Sequence, residues 1–101
     1  MKTDKIILTD FTHTALSNAD GVMVYTAVNN LLADGYTVIV SFSGINAVST
    51  SFLNSFIGNL VDNYGLNILT RVKIVDYTAS IANFLKNYIQ QLSSFSSRNN
   101  E

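Results

Sequence analysis

The chain has 101 residues, 48% of them apolar and 13% charged, with a formal net charge of −1. That balance lets burial offset the entropy of ordering and fits one folded domain, far from the composition of disordered chains. The basic residues Lys2, Lys5, Arg71, Lys73, Lys86 and Arg98 are scattered, so no concentrated face for nucleic-acid phosphates is expected, and the lack of cysteine excludes disulfides and thiolate chemistry.

No apolar run approaches the roughly 20 residues that cross a bilayer, and the N-terminus lacks the long apolar stretch of a signal peptide. The expectation is cytoplasmic residence without membrane contact. The five glycines are dispersed (Gly21, Gly35, Gly44, Gly58, Gly65), so no glycine-rich phosphate loop is present.

In chain order, Lys5 to Phe11 contains the continuous β-branched run Ile6-Ile7-Leu8, which predicts a strand buried on both faces. Ser17 stands three residues before Asp20, a capping pattern that starts a helix near Asn18. Val24, Ala27, Val28, Leu31 and Leu32 form one helical face, and Gly35 follows where a left-handed residue ends the helix. Val38-Ile39-Val40 predicts a second buried strand, closed by the turn residues Ser43-Gly44.

Ser49-Thr50-Ser51 supplies three hydroxyls at the start of a second helix, whose stripe is Leu53, Phe56, Ile57, Leu60, Val61 and Tyr64, with Gly65 as the stop. Leu66 to Leu69 has no assigned element. Val72-Lys73-Ile74-Val75 predicts a third strand, and Thr78 caps a last helix carrying Ile81, Leu85, Tyr88 and Leu92. Residues 1–92 are read as one domain and 93–101, rich in Ser and Asn, as a disordered tail. Alternating strands and helices predict an α/β fold, with a small mixed or parallel sheet and about three helices packed on it.

In such sheets ligands sit at the carboxyl ends of the strands. That edge collects Asp10, Thr12 and His13, then Ser41, Ser43 and Ser49 to Ser51, then Asp76 and Thr78. A phosphate on a hydroxyl at the second helix start would meet free amides and the positive end of the helix dipole. Plain capping by Ser49, with Thr50 and Ser51 as ordinary first-turn residues, is the competing reading. Asp10 and Asp76 are read as turn-closing carboxylates more readily than as a magnesium site, and His13 as a solvated loop residue. No catalytic residue, cofactor or metal site is assigned. Phe52 and Phe42, beside the hydroxyls, would form the apolar part of a docking surface if uncovered.

The segment Val38 to Leu60, VIVSFSGINAVSTSFLNSFIGNL, resembles the central motif of STAS-like domains, small bacterial relatives of anti-sigma-factor antagonists. Leu16 to Gly21 looks like the opening of that family's first helix, and Arg71 to Val75 like its last strand. The resemblance implies a non-enzymatic regulatory module that binds a protein, with a GHKL-type ATPase or kinase as the family's partner. It places the phosphoacceptor hydroxyl at Thr50, with Ser51 adjacent; the contact surface expected for such a module is the start of the second helix, Ser49, Thr50, Ser51 and Phe52, with the preceding Ser43-Gly44 loop. The chain departs from the family at several points. Ser41 and Ser49 stand where acids are usual, Phe52 where a glycine follows the hydroxyls, and Asn54-Ser55 where an acidic pair is common. The alternatives are a structural or self-associating domain and, third, a metal-assisted phosphoryl-handling site at Asp10 and Asp76.

Overall fold

A computed structural model describes residues 2–12 and 14–99, with side chains through residue 94. Three parallel strands, β1 (Thr3–Ile7), β2 (Thr37–Ser41) and β3 (Val72–Val75), lie in the order β1-β2-β3. The α/β fold is as predicted. Ile6 pairs with Val40 and Val40 with Ile74, so alternate residues of all three strands share one face.

Both crossovers run in the same direction along the sheet, and right-handed connections then place their helices on one face. The first is α1 (Asn18–Ala33). The second is a composite helix over residues 50–64: α2 (Thr50–Leu53), a π-helical segment (Asn54–Gly58) and α3 (Asn59–Tyr64). A 3-10 helix over Leu66–Thr70, the stretch without an assigned element, leads into β3, and α4 (Ala79–Asn99) follows it.

Beneath the helices Ile6, Val38, Val40, Phe42 and Val72 are buried. On the other face Lys5, Ile7, Ile39, Lys73 and Val75 are exposed or half-exposed. This corrects the expectation of strands buried on both faces. The correction is largest at β1, an edge strand that ends at Ile7, where the chain turns into a 3-10 helix (Leu8–Asp10). Ile6 is buried but Ile7 is 37% exposed, because a single layer of helices covers one side only.

Ser17 caps α1 as predicted, its hydroxyl accepting from the Asp20 amide at 3.0 Å, and Gly35 leaves the helix with φ +87°. The stripe Val24, Val28 and Leu32 is buried. In the composite helix Leu53, Phe56, Ile57, Leu60 and Val61 are buried as expected. Tyr64 is not: it is exposed, and its hydroxyl donates to Asn29 of α1. Thr78 accepts from the Ile81 amide at 3.2 Å to begin α4, whose Ile81, Leu85 and Tyr88 are buried. The helix continues to Asn99, through most of the segment read as a tail, while Asn100 and Glu101 lie outside the described residues. No helix among the described residues is long and apolar enough to cross a membrane.

Candidate functional site

The composite helix begins beside the start of α1, and backbone bonding fixes the two together. Ala15 and Val48 form a parallel bridge, and the Ser49 amide donates to the Ala15 carbonyl at 3.0 Å. The Ser49 hydroxyl then does two things at once. It accepts from the Phe52 amide at 3.0 Å, satisfying a free donor of the first turn, and donates to the Leu16 carbonyl at 2.6 Å. The capping reading of Ser49 therefore holds, and it leaves Thr50 and Ser51 exposed on the first turn.

Phe52 has the opposite fate. It was expected on the contact surface, yet it is fully buried, as is Phe42. Their rings meet edge-on at 6.4 Å, and Phe52 packs on Phe56 at 6.0 Å. The reason is geometric: Phe52, Phe56 and Leu60 recur at four-residue spacing and so share a face. That spacing was the signal in the sequence that the stripe begins one residue before Leu53.

The apolar surface near the hydroxyls comes from elsewhere. Thr50 lines a shallow hollow of about 180 Å³ with Phe84, Asn87, Tyr88 and Gln91 of α4. Phe84 is 36% exposed, and Leu16, whose carbonyl holds Ser49, is 46% exposed. Neither is a contact residue in the sequence reading: Phe84 falls beside the core stripe of the last helix, where packing is the ordinary explanation, and Leu16 only opens the segment that leads into α1. Phe84 lies one position before Leu85 of the buried α4 stripe, which is the only sequence sign that it stands outside the core. Ser43 and Gly44 are exposed, with Gly44 at φ +84° in the turn that follows β2.

The departures from the family motif have structural uses. Asn54 accepts the Tyr88 hydroxyl at 2.7 Å and ties the π-helical segment to α4. Burial, and secondarily the nearby Asp62 carboxylate, raise the Tyr88 pKa above its usual 10.0. Ser41, 1% exposed, donates to the Asp76 carboxylate at 2.7 Å, joining the ends of β2 and β3. Asp76 sits at φ +62° and lies 3.9 Å from Lys5. Its carboxylate is thus engaged by a serine and a lysine, while Asp10 is exposed in the 3-10 turn after β1. No group of three or more metal-ligating side chains gathers among the described residues, and His13 lies outside them.

A three-stranded parallel sheet with its helices on one face, and a hydroxyl-bearing helix start at the carboxyl edge, define a small α/β domain of STAS-like architecture. The comparison with protein families agrees: residues 20–82 match the family described as STAS-like domain of unknown function (DUF4325), and the chain belongs to it. Neither a curated protein nor a solved structure matched the chain.

Proposed function

We propose that the chain is a non-enzymatic regulatory module of the cytoplasm that binds a partner protein at the start of α2, and that a phosphate on Thr50 or Ser51 releases that partner. The observation that carries this reading is the exposure of Thr50 and Ser51 on a turn that Ser49 holds fixed. Phe84, which lines a hollow with Thr50, gives the turn exposed apolar surface in place of the buried Phe52, and Leu16, whose carbonyl holds Ser49, is exposed as well. A rigid polar edge beside two apolar anchors suits a small protein interface. Adding a dianion there would desolvate badly against an apolar contact, while the helix dipole would stabilise the modified form of the domain itself. The resemblance to antagonist domains supports a GHKL-type ATPase or kinase as the partner.

Capture of the tagged chain from its own cytoplasm, with mass spectrometry of co-purifying proteins and of residues 49–51, tests the reading. A GHKL-type ATPase together with phosphate on Thr50 or Ser51 is the expected result. A partner without phosphate would make the domain a constitutive adaptor. Recovery of the chain alone would favour self-association.

A further inference from the structure

The two outer edges of the sheet are built differently. Hydrogen bonding alternates along a parallel strand, and the register with β2 turns the backbone groups of Thr3, Lys5 and Ile7 outward on one side, and those of Val72 and Ile74 outward on the other. On the β1 edge the Lys5 amide is already occupied, since it donates to the Asp4 carboxylate at 2.8 Å. A charged side chain folded onto an edge amide in this way discourages strand addition.

The β3 edge opens instead into a groove. Between β3 and α4 lies a cavity of about 560 Å³, with an apolar lining that includes Leu69, Val72, Ile74, Tyr77, Leu85 and Ile89. Its charged lining residues are Lys73 and Lys86, both exposed, and no carboxylate lines it. No strand lies beyond β3 among the described residues.

We propose that this groove receives an extended segment of a partner protein, alternating apolar and acidic residues, which adds to β3 as a fourth strand. Backbone groups of Val72 and Ile74 would pair with the segment, its apolar side chains would enter the groove under α4, and its carboxylates, on the open face of the sheet, would meet Lys73, while Lys86 on α4 adds positive charge to the groove. A strand paired along the four residues of β3 spans about 13 Å, so a short segment suffices. Charge selects this occupant over a second copy of the chain: two copies joined symmetrically at β3 would set Lys73 and Lys86 of each against the same lysines of the other. The groove lies on the side of α4 away from the Thr50 hollow, so this inference stands independently of the phosphate switch.

The test uses the full chain and a blocked peptide of alternating valine and glutamate, about eight residues long. Binding followed by NMR is expected with a Kd at or below about 1 mM, together with roughly tenfold slower hydrogen exchange at the Val72 and Ile74 amides. The K73E/K86E double variant, changed only at exposed positions, should bind about tenfold more weakly, as should a valine–lysine peptide with the parent. The inference is overturned if the valine–glutamate peptide leaves Val72 and Ile74 unshifted at that concentration, or if a backbone N-methylated version binds equally well. It is also overturned if light scattering of the chain alone shows a dimer in which those amides are already protected.

Discussion

The Ser49 hydroxyl and the Leu16 carbonyl, 2.6 Å apart, join the starts of the two crossover helices. Because the same hydroxyl caps α2, removing it loses two hydrogen bonds and leaves an amide at the first turn without its partner. Ser49→Ala should therefore cost about 1–2 kcal/mol of stability. Thr50→Ala and Ser51→Ala, at exposed positions, should each stay within about 0.5 kcal/mol. Urea denaturation midpoints of the three variants check this, and equal effects would contradict the division of labour between cap and exposed hydroxyls.

Phe52 and Phe84 should separate stability from binding. Phe52→Ala removes a fully buried ring between Phe42 and Phe56 and should cost about 3–5 kcal/mol. Phe84→Ala should leave the melting temperature nearly unchanged while weakening partner capture, because its ring lies partly exposed beside Thr50. A strongly destabilised Phe84→Ala variant would show that the ring belongs to the core after all.

Gly21 lets α1 come into close contact with the composite helix. A Cβ built there falls 2.5 Å from the Phe52 carbonyl oxygen and 2.7 Å from Ser55 Cβ, and the first of these is backbone that cannot swing away. Gly21→Ala should destabilise by about 1–3 kcal/mol through overpacking, despite alanine's better helix propensity. Thermal unfolding gives the sign directly.

Much of the fold is legible in the sequence because local chemistry and tertiary demand agree there. Ser17 and Thr78 are caps, Gly35 and Gly65 adopt φ +87° and +86° after helices, and Val24, Val28 and Leu32 are the buried stripe they were read to be. The readings fail where burial depends on which layer covers an element. Ile7 and Ile39 belong to runs of β-branched residues that predict two covered faces, and only the topology reveals that one face has no helix. Phe52 was misplaced at the site for a related reason. Read with the capping hydroxyls, Phe52 in the first turn looks like part of the exposed helix start, but this helix is flanked by α1, α4 and the sheet, and its buried sector is wide enough to include Phe52 and Ser55.

Tyr88 predicts a pH dependence. Its pKa is raised in the folded chain, so the folded state holds the phenolic proton more tightly than the unfolded state. The stabilisation is fully present below the unfolded value of 10.0 and is lost as pH rises from there through the raised folded value. Tyr88→Phe should lose about 0.5–1.5 kcal/mol near neutral pH with the hydrogen bond to Asn54. It should then show a smaller further loss than the parent between about pH 9 and pH 11. Parallel alkaline denaturation profiles of the two chains would contradict this.

If exposed hydroxyls at the start of α2 control a protein contact, partner binding by the T50E/S51E variant must fall. Acidic residues in the first turn suit the helix dipole, so the variant should fold as stably as the parent and any loss of binding is local. T50E/S51E should lose at least tenfold in affinity for the captured partner, with T50A/S51A retaining binding close to the parent's. Equal affinity of the parent and T50E/S51E would contradict it.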